Sequence, residues 1–381
     1  MPKNIVLCCD GTANEFAEDR TNVIKLAYAL QQAPGLQSVY YHPGVGTMEP
    51  AGALTPLSRK ATRLLGLALG YGLASDVRDA YVFLMNHFEP EDKVFLFGFS
   101  RGAYTVRAVA SLLHMYGLIS RGNEPLVPYA IRMLTAIQQL DAKGDGQTEE
   151  KRRYFELARE FQETFSRTAC KPWFVGVWDT VSSVGWIENQ LKLPYSADNP
   201  DIAIGRHAIA LDERRAFFRT NLWRPKPPPA LGGPKDLSQV WFAGVHCDVG
   251  GGYPEKDSGS AKIPLEWMLV EARQAGLLID DTRAALMLGR DGKGFVATNA
   301  DGPLHESLTK AWWPAELIPK RHYNGAQQKW ERRMNNGRRR TMPPAPMVHE
   351  SVFRRGGDYA SRLPADAIQV PWVPFTTGSD Q

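Results

Sequence analysis

Short apolar runs alternate with stretches of helical periodicity along most of this chain. The apolar runs, each ending in a turn rich in Gly, Pro or Asp, lie at residues 4–10, 37–47, 92–100, 172–185 and 236–253. They predict five strands with their exit turns. Apolar residues spaced as on one face of a helix fill the regions between, and predict helices over 21–32, 58–88, 101–118, 127–166 and 265–277.

The strands read as continuous apolar runs, which indicates burial on both faces of a sheet. Strands separated by helices predict a mostly parallel sheet with crossover helices. The fold class is therefore α/β, with a doubly wound, mostly parallel sheet and helical insertions. Ligands of such sheets bind beyond the carboxyl ends of the strands, so the turns after the strands are where we expect the chemistry.

We expect a single domain over residues 1–381, with three additions to the core. Residues 119–170 predict a helical insertion, and 186–236 carry a Pro/Gly loop, RPKPPPALGGP, that suggests a lid or cap segment. Residues 306–381 form a basic C-terminal segment that contains several tryptophans. Its composition favours a solvated basic segment, with peripheral contact to an anionic membrane surface as the alternative.

Composition narrows the class of protein. Hydrophobic residues make up 43% and charged residues 23%, as in a soluble globular domain. The net charge of +4 is too small to indicate a nucleic-acid partner. No signal peptide and no apolar run long enough to cross a bilayer is visible, and the four cysteines form no CxxC pair. These features predict a reducing, cytoplasmic compartment without a disulfide framework or zinc site.

The stretch GFSRG places Ser100 between two glycines where an apolar run stops and a helical pattern begins. The bare G-x-S-x-G pattern is weak evidence, but a strand before it and a helix after it are what a nucleophile elbow requires. In such a turn the hydroxyl projects above the sheet, and the next residue's N–H helps to hold an oxyanion. We interpret Ser100 as a catalytic nucleophile rather than part of an ordinary turn.

A nucleophilic serine needs a base and an orienting acid, which follow it in the order Ser, Asp, His in α/β-hydrolases. Asp179 and His246 each end a predicted strand, in that order. Asp248 is a second choice for the acid, since it follows the same strand. His349 is a second choice for the base, because the histidine often follows the last strand, and His305 is a third.

The first strand ends at Asp10, Gly11 and Thr12, on the same predicted edge as Ser100. Backbone N–H groups of Gly11 or Thr12 would supply a second oxyanion donor, unless this is a plain Asp-Gly turn. Arg101 would pair with an anionic substrate group such as phosphate, or with a nearby aspartate.

Five segments together resemble a family of α/β-hydrolase domains that includes bacterial type VI secretion phospholipase effectors. In the family's order they are CCDGTANE, GFSRGAYTVRAVASLL, VGVWDTVSSVG, RHAIALDERRAFF and VWFAGVHCDVGGGY. The resemblance implies an α/β-hydrolase fold with Ser100 as nucleophile, Asp179 as acid and His246 as base. It also implies a lipolytic, bacterial protein, delivered by a system that needs no signal peptide. MVHESVFRR is similar to a recurring element of the family, so His349 stays open.

The main hypothesis is a serine hydrolase of carboxylic esters, a phospholipase or lipase, acting on a lipid or small ester through an acyl-enzyme and without metal or cofactor. One alternative is a metal-dependent phosphate-ester hydrolase that gathers Asp10, Asp179 and Asp248 around a cation. Another is a degenerate hydrolase module without activity.

Overall fold

The computed structural model describes residues 2–11, 19–44, 71–142, 149–181, 193–224, 232–292, 294–324, 327 and 329–377. Its strands are β1 (Asn4–Cys9), β2 (Gln37–His42), β3 (Lys93–Phe99), β4 (Leu118–Ile119), β5 (Ser166–Thr168), β6 (Pro172–Trp178), β7 (Ile204–Ala210), β8 (Asp236–Phe242), β9 (Lys320–Asn324), β10 (Lys329–Arg333), β11 (Met347–His349) and β12 (Ile368–Val370). In these residues no helix is long and apolar enough to span a membrane.

The α-helices of the described ranges are α1 (Asn22–Ala29), α2 (Tyr71–His87), α3 (Arg101–Tyr116), α4 (Val127–Ala142), α5 (Glu149–Phe165), α6 (His246–Gly250), α7 (Lys262–Gln274), α8 (Asp281–Met287), α9 (Trp313–Glu316), α10 (Glu350–Arg354) and α11 (Gly357–Ala360). The first part of the helix predicted over 58–88 lies outside the described residues.

Eight strands of the described chain form one sheet in the order β12-β11-β8-β7-β6-β3-β1-β2. Every neighbouring pair in it runs parallel, which places all carboxyl ends at one edge. Helices cover both faces of this sheet. The α/β, doubly wound fold predicted from the sequence is confirmed.

The alternation of side chains along β1 shows how the two faces are built. Ile5 and Leu7 belong to a core that includes residues of α2, α3, α4 and α5. Val6 and Cys8 point to the opposite core, which α1, α7 and α8 close. Successive residues of a strand face opposite sides, so an entirely apolar run fits a strand with a core on each side.

Two segments predicted as additions to the core contribute to the sheet itself. Residues 204–210, within the segment 186–236 predicted as a lid or cap, form the central strand β7. The C-terminal segment 306–381 supplies β11 and β12 to the same sheet. The predicted insertion 119–170 contains α4 and α5, which pack beside α2 and α3.

The elbow between β3 and α3 leaves no room for side chains on its glycines. A Cβ on Gly102 would lie 2.1 Å from the Cys9 carbonyl oxygen, and one on Gly98 would lie 2.5 Å from the Gly102 oxygen. Both obstacles are backbone atoms, which cannot rotate away. The two glycines of G-x-S-x-G therefore let α3 start directly against the end of β1.

We predict that Gly102→Ala lowers the free energy of unfolding by about 1–3 kcal/mol, the usual effect of overpacking a tight site. Urea denaturation measures this change. Gly302→Ala is the matched control, because a Cβ there meets its nearest atom at an ordinary 3.4 Å. Equal stability of the two variants would contradict the close packing at the elbow.

Candidate active site

Ser100 occupies a strained turn at the carboxyl edge of the sheet. Its φ is +56° and its ψ is −117°, a conformation that a residue with a side chain rarely adopts. The residue is 8% exposed, and its N–H donates to the Trp178 oxygen at the end of β6. This is the strand–turn–helix geometry of a nucleophile elbow.

Asp179 lies beside Ser100 because β3 and β6 pair, with Phe99 opposite Trp178. It too has a positive φ, +37°, and it is fully buried. Its Oδ1 accepts the Ala210 N–H at 3.0 Å. Two neighbouring strand ends thus carry strained, chemistry-bearing residues, a combination that is typical of functional sites.

His246 is the first residue of α6, four residues beyond the end of β8, rather than the last residue of a strand. Its Nδ1 lies 2.5 Å from Oδ2 of Asp179. The rings of Phe99 and Phe218 pack on the imidazole at centroid distances of 4.6 and 4.8 Å. Its backbone N–H donates to Glu213 Oε2 at 3.2 Å. Two aromatic contacts and a main-chain hydrogen bond therefore fix the position of His246.

Arg340 completes the surroundings of Asp179. Its two terminal nitrogens lie 2.5 Å from Oδ1 and 3.0 Å from Oδ2 of the carboxylate. The same guanidinium donates to the carbonyl oxygens of Phe218 and Ala210. A bidentate pair of this kind fixes orientation as well as charge.

Burial alone would raise the pKa of Asp179, but the Arg340 charge and the His246 hydrogen bond outweigh it. They hold the pKa of this carboxyl well below its usual range. An ionised carboxylate only accepts hydrogen bonds, so Nδ1 of His246 carries the proton of their shared bond. Nε2 is then left as the acceptor of the neutral imidazole, the form in which a histidine can take a proton.

The second-choice acid and base have other partners. Asp248 Oδ1 lies 2.6 Å from Nδ1 of His305, and Asp248 also caps α6 through the Val245 N–H. Asp248 and His305 therefore form a separate pair. His349 ends β11, four strand spacings from β3 or roughly 19 Å at about 4.8 Å each. Its Nδ1 bonds to Ser351 Oγ at 2.9 Å, and burial lowers its pKa to about 4.

Asp10 and Gly11 follow β1, which lies on the opposite side of β3 from β6 and Asp179. Asp10 is buried and accepts from Thr21 Oγ1 and Tyr41 OH, and its Oδ1 accepts the Gly11 N–H at 2.7 Å. The Gly11 donor is thus occupied by Asp10. Thr12 lies outside the described residues.

The charge that acts on Arg101 is that of Asp76, in α2. Burial lowers the pKa of Arg101 to about 10, against the opposing charge of Asp76. Burial also raises the pKa of Asp76 to about 7.

The three aspartates of the metal hypothesis do not converge. Asp10 bonds to Thr21 and Tyr41, Asp179 to His246, and Asp248 to His305. Across the described ranges, no group of three or more His, Cys, Asp or Glu side chains is arranged to hold a metal ion.

Sequence reasoning missed Arg340 and Glu213. Arg340 is the last residue of the run RRR at 338–340. The composition of this region indicates a solvated basic segment. Nothing in its local pattern distinguishes the buried arginine from its neighbours. Glu213 lies in the segment RHAIALDERRAFF, one of the five that resemble the family, and its place in that segment could have indicated a role near the site.

We predict that Arg340→Gln lowers the free energy of unfolding by about 3–5 kcal/mol, because it leaves a buried carboxylate without its cation. Urea denaturation gives the value. The exposed Arg159, whose Nε lies 3.8 Å from Glu163, provides the control Arg159→Gln, with an expected change below about 1 kcal/mol. Adding Asp179→Asn to Arg340→Gln should restore part of the loss. An Arg340→Gln variant as stable as the control contradicts the pairing.

Glu213 predicts a pH dependence of stability. Burial by itself raises its pKa, but the hydrogen bond and charge of Arg215 outweigh this and lower it from 4.5 to about 2. The folded state therefore binds this proton less readily than the unfolded chain. The contribution of Glu213 to the free energy of unfolding is fully present above about pH 4.5 and is lost as the pH falls towards 2. The lowered pKa of Asp179 makes the free energy of unfolding depend on pH in the same direction.

Glu213→Gln should accordingly flatten the fall in unfolding free energy between pH 4.5 and 2, measured by urea titrations at several pH values. The exposed Glu163, on α5, gives the control Glu163→Gln. The interpretation is wrong if both variants keep the wild-type slope.

Comparison with known proteins agrees with the motifs. The family model described as T6SS, phospholipase effector Tle1-like, catalytic domain matches residues 3–271. An uncharacterized protein of Saccharomyces cerevisiae is 35% identical over 233 residues, which cover 59% of this chain and 33% of that protein.

Two solved structures were also found. One is an uncharacterized protein from Pseudomonas aeruginosa, with 20% identity, a TM-score of 0.40 and coverage of 73% of this chain and 46% of the other. The second is a Tle1 effector bound to the VgrG spike of the type 6 secretion system, with 17% identity, a TM-score of 0.31 and coverage of 66% and 51%. The chain spans between a third and about half of these proteins. The match over residues 3–271 confirms the resemblance seen in the motifs, and the chain belongs to the Tle1-like phospholipase effector family.

Proposed function

We propose that this protein is a serine hydrolase of carboxylic esters, and that its substrates are phospholipids. Membership of a phospholipase effector family supports the reaction class. The observation that carries the mechanism is the hydrogen bond of 2.5 Å between His246 and Asp179, beside Ser100 on its strained elbow.

In the proposed mechanism, His246 Nε2 takes the proton of Ser100 Oγ as that oxygen attacks the ester carbonyl carbon. Asp179 keeps the imidazole in the required tautomer and stabilises its positive charge. The N–H of Arg101, at the first position of α3, holds the developing oxyanion.

Collapse of the tetrahedral intermediate expels the alcohol, which receives the proton from His246, and leaves an acyl group on Ser100. A water molecule then gives its proton to His246 as it attacks the acyl carbon. The carboxylic acid leaves, and Ser100 regains its proton.

We further propose that the protein acts at a lipid surface and is delivered by a secretion system that needs no signal peptide, as its family membership supports. Trp313, Leu317 and Ile318 are large exposed apolar side chains close together in sequence, with exposed fractions of 41%, 53% and 39%. Two lysines and three arginines follow in the sequence of β9 and β10. This combination suits the interface of an anionic membrane.

The test is hydrolysis of phosphatidylglycerol vesicles and of p-nitrophenyl butyrate by the full chain. Ser100→Ala, His246→Gln and Asp179→Asn should each lower kcat by roughly 10³-fold or more, because triad members act as a unit. Ser120→Ala and His349→Gln serve as matched controls and should keep wild-type turnover, and circular dichroism verifies the fold of each variant.

A Ser100→Ala variant with full turnover would overturn the proposal. Loss of activity in His349→Gln but not in His246→Gln would reassign the base. Activity that a chelator removes and a divalent ion restores would instead favour the metal-dependent hydrolase.

A further inference from the structure

A cavity of about 350 Å³ lies next to the proposed active site, between the turn at 193–198, the segment 213–224 and the C-terminal stretch 333–341. Two of its lining residues touch the His246–Asp179 pair. The Phe218 ring packs on the His246 imidazole, and Arg340 binds the Asp179 carboxylate. A single side chain therefore separates the cavity from His246 and from Asp179.

The lining of this cavity is strongly basic. It contains eight arginines and one lysine but only two carboxylates among the described residues, those of Asp198 and Glu213. Glu213 is itself saturated, because its oxygens accept from Arg215, Ser307 and the His246 N–H. Five of the eight arginines pair with carboxylates of the described residues, namely Arg214 with Glu306, Arg215 with Glu213, Arg333 with Glu331, Arg339 with Asp212 and Arg340 with Asp179. The charges of Arg219 and Arg338 are left for a ligand.

Arg219 shows the uncompensated charge most directly. Burial and, after it, the like charge of Arg333 lower the pKa of Arg219 to about 10. In the part of the chain that the structure describes, neither Arg219 nor Arg338 forms an ion pair. Arg333 lies 3.6 Å from Glu331, beyond hydrogen-bond distance. Arg219 and Arg338 thus bring two positive charges to the cavity wall without a carboxylate partner among the described residues, and a bound anion would supply one.

We infer that this cavity binds the phosphate group of the substrate, with Arg219, Arg333 and Arg338 as its ligands. Guanidinium groups suit this role because their paired N–H donors match two phosphate oxygens at once. Arg101, the residue that the sequence suggests for phosphate, is opposed by Asp76, whereas Arg219 and Arg338 form no ion pair in the described part of the chain. The catalytic part of this inference rests on the proposed function.

The binding test does not depend on catalysis. Titration calorimetry of the full chain carrying Ser100→Ala, with inorganic phosphate and with glycerol 3-phosphate, should show saturable binding, and glycerol should not bind. Adding Arg219→Gln should weaken binding about tenfold or more, as expected for a lost charged hydrogen bond. Arg333→Gln is a second variant, in case the first does not fold by circular dichroism.

The control is Arg78→Gln, which removes the same charge at an exposed arginine of α2, a helix that contributes no residue to the cavity lining. It should leave phosphate affinity unchanged. Absence of saturable phosphate binding, or equal weakening by the control, overturns the inference. Retained hydrolysis by Ser100→Ala would instead count against the proposed function, so the two failures are distinguishable.

The source of the phosphate follows from kinetics of the otherwise wild-type enzyme. If the ligand is a lipid headgroup, Arg219→Gln lowers the ratio of kcat/KM for phosphatidylglycerol vesicles to that for p-nitrophenyl butyrate by about tenfold. If it is a soluble phosphate ester, the calorimetric affinity falls while this ratio stays constant. Both results support the phosphate site, and a variant that changes neither quantity contradicts it.

Discussion

The structure depends on one buried carboxylate, that of Asp179. It is fully inaccessible to solvent, yet the charge of Arg340 keeps it ionised. An isolated carboxylate in such a place would take up a proton, because burial penalises its charged form. Hydrogen bonds from Ala210, His246 and Arg340 replace the lost water. The ionised carboxylate also determines the tautomer of His246, because it accepts the hydrogen bond from Nδ1.

The partners that keep Asp179 ionised come from parts of the chain that are far apart in sequence. Asp179 follows β6, His246 begins α6, and Arg340 lies outside the region 3–271 that the family model matches. The C-terminal segment is therefore more than a solvated tail, since it supplies two strands of the sheet and the cation of the site. Two neighbouring backbone conformations with positive φ, at Ser100 and Asp179, are held by the same packing. Strain of this kind persists only where surrounding contacts over-determine it.

Continuous apolar runs in the sequence predicted most of the buried strands of the sheet. Strands β1, β3, β6 and β8 and the elbow at Ser100 follow from burial on both faces and from the glycines. Strand β7 was missed because Arg206 and His207 interrupt its apolar pattern, although both are buried. Arg206 pairs with Asp236 and Glu271, and His207 accepts the Thr180 N–H. Such long-range pairing leaves no periodic signal, and the same reason concealed Arg340 among its neighbouring arginines.

The central claim is that Asp179 orients His246 to activate Ser100. The most direct measurement is the rate at which a fluorophosphonate labels the protein, with the modified peptide identified by mass spectrometry. The account predicts a single adduct on Ser100 in the wild type and labelling slower by roughly 10³–10⁴-fold in Asp179→Asn, in which the imidazole loses its orienting charge. Labelling of another residue, or an unchanged rate in Asp179→Asn, would contradict it.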